Sequence, residues 1–169
     1  MSLLSHNAAP ATSQQILALL ESVADPEIPV LSVIDLGIVR DIAITADGVE
    51  VSVAPTYTGC PATEVIEQMI AAKLERNGIG NVTIKRVLSP PWTTDWLSES
   101  GRRKLEAYGI APPAGSAGKR SLLAPEPGIH CPRCSTDRTT RISEFGSTPC
   151  KASYKCDECL EPFEYFKCL

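Results

Sequence analysis

The chain has 169 residues, of which 43% are hydrophobic and 21% are charged, with a formal net charge of −4. This length fits one or two domains, and the apolar fraction is sufficient for a real core. The negative net charge argues against nucleic acid as a partner, and no apolar run approaches the roughly 20 residues that a membrane crossing needs. Residues 1–11 lack the basic and apolar regions of a secretory signal, so we expect a disordered tail and a cytoplasmic protein.

Three helices are predicted in the first two thirds of the chain. Residues 12–15 form a capping-box pattern that opens the first helix, and Pro26 ends it. The strongest helical stripe begins at Pro61 and ends at the cap residue Gly78. A third helix is expected over about 95–108.

Three strands are predicted between these helices. Alternating apolar residues indicate strands over 38–45 and 49–53, joined by the hairpin signal Asp47-Gly48, and a third strand follows over 82–87. The order α-β-β-α-β indicates an α+β sandwich with the helices on one face of a small sheet. Trp92 and Trp96 follow the third strand, and we expect them to close the open end of the sandwich, the alternative being a docking patch.

Composition divides the chain into two folded parts. The α+β domain and its C-terminal extension are predicted over 12–110, and a stretch rich in Pro, Gly and Ala over 111–128 indicates a linker. Residues 129–169 hold six of the seven cysteines. In a reducing compartment such clustering indicates metal or redox chemistry rather than disulfides.

Cys60 is the first candidate functional residue, because it lies between a predicted strand and the strongest predicted helix. A thiol at a helix N-terminus faces unpaired N–H groups and the positive end of the helix dipole, which favour the thiolate. Thr56 and Thr63 add hydroxyl groups nearby in sequence. The alternative is a cysteine that only packs, and the strand–loop–helix context favours function.

Asp25, Glu27 and Asp35 lie in loops that the predicted topology can bring near Cys60. A thiolate with two or three carboxylates can bind iron or help to move protons. Each acid also has a plain explanation in turn chemistry, and spacing alone leaves the choice open.

A family resemblance bears on that choice. The motifs that carry it are Asp25-Pro26-Glu27-Ile28-Pro29, Asp35-Leu36-Gly37-Ile38-Val39 and Thr56-x-x-x-Cys60-Pro61. In this order they resemble the iron–sulfur assembly domain of SufT-like bacterial proteins and cytosolic iron–sulfur targeting factors, over roughly residues 13–87. The resemblance implies a role in cluster maturation, with Cys60 as the functional cysteine and as a transient ligand of iron or of a cluster. Asp25 and Glu27 are carried over as motif residues.

Two CxxC pairs in the C-terminal part predict a zinc ribbon. Cys131 and Cys134 form the first pair and Cys156 and Cys159 the second, with 21 residues between the pairs. Four thiolates on two facing hairpins close a tetrahedral zinc site, although they also bind a single iron or a cluster. His130 is interpreted as a neighbour rather than a ligand. With so small a core, the metal is expected to supply most of the ribbon's stability.

Cys150 and Cys168 are left over from this set. Three alternatives are open for these two cysteines: packing as small apolar residues, pairing with each other, or forming a second thiol site. Their spacing in the sequence does not choose among the three.

The combination of both parts is similar to a narrower family. Four further motifs carry this resemblance: Pro90-Pro91-Trp92-Thr93-x-Asp95-Trp96, Gly109-Ile110-Ala111-Pro112-Pro113, Phe145-Gly146-Ser147-Thr148-x-Cys150-Lys151-Ala152 and Glu161-Pro162-Phe163-x-x-Phe166-Lys167-Cys168. Together with the assembly domain they resemble the PaaD family, the D subunits of bacterial phenylacetyl-CoA epoxidase.

This resemblance implies a non-catalytic accessory subunit of the phenylacetyl-CoA 1,2-epoxidase (monooxygenase) system of aerobic phenylacetate catabolism. Its implied task is maturation of the iron–sulfur centre of the flavin and iron–sulfur reductase component, which would be its partner. The alternative is a structural subunit of the oxygenase with no metal-transfer role, and a homodimer is left open. An independent thiol enzyme is disfavoured, because no histidine lies near Cys60 in sequence to act as a base.

Overall fold

The computed structural model describes residues 11–57, 59, 62–115 and 128–168. The helices are α1 (Ser13–Leu20), α2 (Ala62–Arg76) and α3 (Glu99–Tyr108), and the strands are β1 (Val39–Ile44), β2 (Val49–Val53), β3 (Val82–Arg86), β4 (Ile110–Ala111), β5 (Thr139–Ser143), β6 (Lys151–Cys156) and β7 (Pro162–Phe166). The chain is therefore an α+β protein with a C-terminal ribbon, as predicted. Among the described helices, none has the length and apolar character that crossing a membrane requires.

The first sheet has the order β1-β2-β3. β1 and β2 pair antiparallel through the predicted hairpin, where the N–H of Thr45 donates to the carbonyl of Gly48 at 2.9 Å. β3 runs parallel to β2, because α2 carries the chain back between them. The three predicted strands and their order are confirmed.

Helices α1 and α2 supply the core beneath this sheet. The capping box of α1 is present, with Gln15 Oε1 accepting from the N–H of Thr12 at 2.8 Å. α1 buries Ile16 and Leu20, and the central turns of α2 bury Ile66 and Ile70, which matches the apolar stripes of the sequence.

Helix α3 begins four residues later than the sequence predicts. Thr94–Trp96 form a 3₁₀ turn, and the chain is extended at Leu97. The hydroxyl of Ser98 then accepts from the N–H of Gly101 at 2.9 Å and caps the helix. A side-chain cap fixes the first residue of a helix more firmly than apolar periodicity does, and this moves the start to Glu99.

The second sheet has the order β4-β7-β6-β5. The hairpin strands β5, β6 and β7 pair antiparallel, as a ribbon requires. The sequence does not predict β4, a two-residue strand after α3 that runs parallel to β7, with Ala111 opposite Tyr165. Ala111, the first residue of the predicted linker, thus lies in this sheet. Residues 116–127 of the predicted linker and residues 1–10 of the predicted tail lie outside the described residues.

The ribbon shares a hydrophobic core with the first sheet. Phe166 is 1% exposed and belongs to the same buried cluster as the side chains of α1 and α2. Its ring meets that of Trp92 edge-on, with centroids 6.3 Å apart. Trp92 is buried and donates from Nε1 to the carbonyl of Leu36 at 2.8 Å. The cleft described below is formed where these two parts meet.

Candidate functional site: an acidic cleft and a four-cysteine cluster

The loop between α1 and β1 presents the first two carboxylates. The N–H of Asp25 donates to the carbonyl of Leu31 at 2.8 Å, which closes the loop. Asp25 Oδ1 accepts from the N–H groups of Glu27 and Ile28 at 2.8 and 2.7 Å. Pro26 has no N–H group to donate, so the turn is held by the hydrogen bonds to the Asp25 side chain. Asp25 is therefore held rigidly with only 8% of its surface exposed.

A cleft lies between this loop, the end of β2, the start of α2 and the ribbon. Its polar lining consists of two carboxylates, two hydroxyls and one thiol: Asp25, Glu27, Thr56, Thr63 and Cys150. Its apolar lining is Ile28, Leu36, Ile38, Val53, Ala54, Pro55, Ile66 and Phe166. A few polar groups within an apolar wall are typical of a binding site.

The two acids of the cleft are harder to ionise than usual. Burial raises the pKa of Asp25, and the N–H groups of Ile28 and Glu27 and the charge of Lys151 only partly oppose this. Burial also raises the pKa of Glu27, and the neighbouring charge of Asp25 adds to the effect. Displaced carboxyl pKa values in a cleft are typical of functional sites, although structural networks produce them too.

The ribbon contributes one wall of the cleft. Cys150 is 5% exposed, and its Sγ lies 3.0 Å from the hydroxyl oxygen of Thr148. Burial raises the pKa of the Cys150 thiol. The adjacent Lys151 is also buried, and its Nζ lies 2.9 Å from Glu164 Oε2. The sequence motif contains Cys150 and Lys151, but no local signal places them beside Asp25, some 125 residues earlier in the chain.

Cys60, the predicted functional thiol, and Pro61 lie outside the described residues. The sequence places Cys60 between Thr56 and Thr63, and both of these threonines line the cleft. Helix α2 begins at Ala62. Of the other predicted site residues, the structure brings Asp25, Glu27 and Thr56 together at the cleft.

Asp35 has a different position and is not among the residues lining the cleft. Its Oδ2 accepts from the N–H of Ser32 at 3.0 Å and from Lys104 Nζ at 2.6 Å. Burial raises the pKa of Asp35, but the bonds from Lys104 and Ser32 outweigh burial and leave the pKa below its usual value. Ser98 N–H also donates to the Asp35 carbonyl at 2.8 Å. These contacts tie the loop to α3.

The four predicted ribbon ligands form one cluster. Cys131 and Cys134 face Cys156 and Cys159, with all four sulfur atoms within 4.8 Å of one another. The Cys131–Cys159 and Cys134–Cys156 sulfur separations are 3.8 and 3.5 Å. Tetrahedral zinc with bonds of about 2.3 Å to sulfur places its ligands about 3.8 Å apart, so this set fits a zinc ion.

The backbone turns of the two CxxC pairs are alike. Ser135 and Leu160, each following the second cysteine of its pair, have φ of 60° and 61°. The N–H of Cys159 donates to Cys156 Sγ at 3.4 Å. Burial raises the pKa of Cys156, but N–H bonds from Cys159 and Glu158 outweigh burial and bring the pKa to about 7. Such N–H···S bonds favour the thiolate that a metal requires.

Cys150, Cys168 and His130 complete the set of candidates. Cys150, which lines the cleft, and Cys168 are both free thiols, so they do not pair with each other in this structure. Cys168 Sγ lies 3.4 Å from the Tyr165 hydroxyl, and the N–H of Ala114 donates to that same hydroxyl at 3.3 Å. His130 is exposed and lies outside the four-cysteine cluster.

Comparison with known proteins matches two families to different parts of the chain. The family described as iron-sulfur cluster assembly protein matches residues 13–85, and the PaaD zinc beta ribbon domain matches residues 115–167. A protein of Escherichia coli, known as the putative D subunit of 1,2-phenylacetyl-CoA epoxidase, is 48% identical over 95% of this chain and 96% of its own length. The chain belongs to the PaaD family. The family resemblance stated from the sequence is thereby confirmed.

Other relatives match only part of this PaaD-family chain. A Fe-S protein maturation auxiliary factor of Porphyromonas gingivalis is 36% identical over 56% of this chain and 90% of its own length. A domain of unknown function (DUF59) from Bacillus anthracis has a TM-score of 0.51 at 25% identity, covering 54% of this chain and 89% of that one. A conserved hypothetical protein of Thermotoga maritima has a TM-score of 0.50 at 30% identity, covering 58% and 97%. Each of these relatives is matched over most of its own length but over little more than half of this chain.

Proposed function

We propose that this protein is an iron–sulfur maturation factor of the phenylacetyl-CoA epoxidase system and acts in the cytoplasm. Iron or a cluster is its cargo, and the iron–sulfur and flavin reductase component is its client. Two of its relatives support this proposal, since one is a putative epoxidase subunit and another is a maturation factor.

The observation that carries the proposal is the cleft that gathers Asp25, Glu27 and Thr56. These residues come from two loops far apart in sequence, and the stretch containing Cys60 is flanked by cleft residues at positions 56 and 63. A reactive thiol that acts together with two carboxylates has the donor chemistry that iron accepts.

In this proposal each group has its own task. Cys60 supplies the thiolate that takes or holds the cargo. Asp25 is immobilised by its own turn, so it offers a fixed carboxylate at the cleft. Glu27 makes no side-chain hydrogen bond within the described part of the chain and is free to turn toward the cargo. Thr56 adds a hydroxyl group.

The ribbon holds zinc as a structural ion and serves to dock the client. The sulfur geometry of Cys131, Cys134, Cys156 and Cys159 supports zinc, whose four thiolate ligands close the site to other chemistry. Metal analysis of the purified protein should give about one zinc per chain, and a Cys131→Ser, Cys134→Ser double variant should contain none. Iron at this site in the freshly purified protein would contradict the zinc assignment.

The function is tested in cells by a Cys60→Ser variant. We expect the reductase to lose its cluster and epoxidation to fall, while the protein itself accumulates normally. Cys168→Ser is the matched control, since it removes a thiol that lies away from the cleft. Full cluster content and full epoxidation in the Cys60→Ser cells would refute the proposal.

A structural role within the oxygenase is the second candidate. It is favoured by the Escherichia coli relative, which is named as a component of the epoxidase itself. This candidate predicts that deletion of the protein impairs epoxidation while the reductase keeps its cluster, and that Cys60→Ser has no effect. Measuring the cluster content of the reductase, by its visible absorption, therefore separates the two functions.

A further inference from the structure

The ribbon buries a lysine where it meets the first part of the chain. Lys151 begins β6, is 4% exposed and lies opposite Phe166, the β7 residue that packs on Trp92. We infer that Lys151 is a positioning residue of the cleft, whose ammonium group is fixed by Glu164 and stabilises the charged carboxylate of Glu27. The inference rests on the proposed function and deepens it by naming the ribbon residue that prepares a cleft carboxylate.

Glu164 holds the ammonium group in place. Its Oε2 lies 2.9 Å from Lys151 Nζ, and the lysine side chain is only 5% exposed. The N–H of Ser147 donates to Glu164 Oε1 at 2.6 Å, and the Ser147 hydroxyl lies 3.1 Å from Oε2. Gly146 leaves room for this carboxylate, since a Cβ there would lie 2.6 Å from Oε1. The buried cation therefore has a partner that is itself held by hydrogen bonds, as a buried charge requires.

Glu27 reaches the same place from the loop between α1 and β1. Besides the cleft, it lines a second pocket together with Lys151, Glu164 and Tyr108, the last residue of α3. An ammonium group has three hydrogens to donate, and among the described residues Glu164 is the ion-pair partner of Lys151. The Glu27 side chain accepts no hydrogen bond within the same described part of the chain. The pocket thus holds an unpaired carboxylate and an ammonium group with unused donors.

The charges around Glu27 call for a compensating cation. Burial raises the pKa of Glu27, the charge of Asp25 raises it further, and the charge of Lys151 opposes both. The same lysine acts against burial at Asp25. Of the other ionisable groups here, Glu164 is already paired, and burial raises the pKa of the Cys150 thiol and keeps it neutral. Lys151 is therefore the positive charge that allows two carboxylates to share a partly buried cleft.

The test is a double-mutant cycle on the purified, zinc-loaded full chain at pH 7, with urea unfolding as the readout. In the parent, Glu27→Gln removes both the repulsion by Asp25 and the attraction to Lys151. In Lys151→Met only the repulsion remains, so Glu27→Gln should lower the unfolding equilibrium constant at least about threefold more than in the parent. The matched control is Lys155→Met, an exposed lysine of the same strand, in which Glu27→Gln should act as in the parent.

A second cycle keeps the inference testable if Lys151→Met does not fold. Glu164→Gln removes the present partner and leaves Glu27 as the carboxylate that shares this pocket with the ammonium group. Glu27→Gln should then raise the unfolding equilibrium constant at least about threefold relative to its effect in the parent. A merely structural role of Lys151 does not give opposite signs in the two cycles. Equal effects of Glu27→Gln in all of these backgrounds overturn the inference.

The positioning role is tested in cells by the cluster content of the reductase. Lys151→Met should lower it, Lys151→Arg should restore it because the charge is kept, and Lys155→Met should leave it unchanged. Full cluster content with Lys151→Met, under conditions where Cys60→Ser abolishes it, overturns the positioning role and leaves the proposed function intact. If Cys60→Ser has no effect either, the proposed function fails, and the cycles on the purified protein still decide whether Lys151 stabilises Glu27.

Discussion

Replacing Phe166 by alanine should detach the ribbon from the first sheet and destabilise the whole protein. The side chain is 1% exposed and lies edge-on to Trp92 at 6.3 Å. Truncation to alanine removes roughly 120 Å² of buried apolar surface, or about 3 kcal/mol at 25 cal/mol per Å². Loss of the ring pair and the remaining cavity raise the expected cost in unfolding free energy to about 3–5 kcal/mol.

The assay is urea unfolding followed by tryptophan fluorescence, with Phe145→Ala as the control. Phe145 is also a ribbon phenylalanine, but it is 64% exposed, and the ammonium of Lys167 lies above its ring at 4.7 Å. Replacing Phe145 by alanine should lower the unfolding free energy by no more than about 1 kcal/mol. If Phe166→Ala unfolds within about 0.5 kcal/mol of the parent, the ribbon does not pack on the first sheet and the cleft is not built as described.

Two further predictions concern the Asp35 loop. Gly37→Ala should destabilise the protein far more than Gly78→Ala. Both glycines have a positive φ, at 66° and 80°. A Cβ at Gly37 would lie 2.3 Å from the Trp96 carbonyl oxygen, whereas a Cβ at Gly78 would meet nothing within 4 Å. Equal urea midpoints for the two variants would contradict this packing. Asp35→Asn should lower the unfolding free energy at pH 7 by about 1–3 kcal/mol, because Lys104 and Ser32 lose a charged acceptor. The folded-state pKa of Asp35 lies below its usual value, so its contribution to stability is present at neutral pH and is lost below about pH 4. Plots of unfolding free energy against pH for the parent and the variant should therefore converge in acid and not at neutral pH.

Elements fixed by local chemistry are predictable from the sequence. The capping box at residues 12–15, the Asp47-Gly48 hairpin and the two CxxC pairs each need only neighbouring residues to form, and each is present. The predicted start of α3 is wrong because the Ser98 cap outweighs the apolar pattern before it. Local chemistry therefore predicts the type of a secondary-structure element well and its first and last residues less well.

The composition of the cleft is only partly predictable. The sequence motifs single out Asp25, Glu27 and Thr56, and these residues do meet at the cleft. Cys150 and Phe166 join them through the packing of two parts that are separated by residues 116–127, and no periodicity or spacing encodes such a long-range contact. Asp35 is also an aspartate in a loop, like Asp25. Its partners, however, are Ser98 at the start of α3 and Lys104 within α3, and these contacts stabilise the loop against the helix.

Strand β6 connects the two sites of this protein. It begins at Lys151, next to the cleft thiol Cys150, and ends at Cys156, a member of the four-cysteine cluster. We expect the ribbon to depend on its metal for folding, so the cleft wall should form only after the four cysteines have bound that metal. A cell deprived of the ribbon metal would then make a protein whose cleft is incomplete. A single six-residue strand thereby couples formation of the cleft to metal binding at the four cysteines.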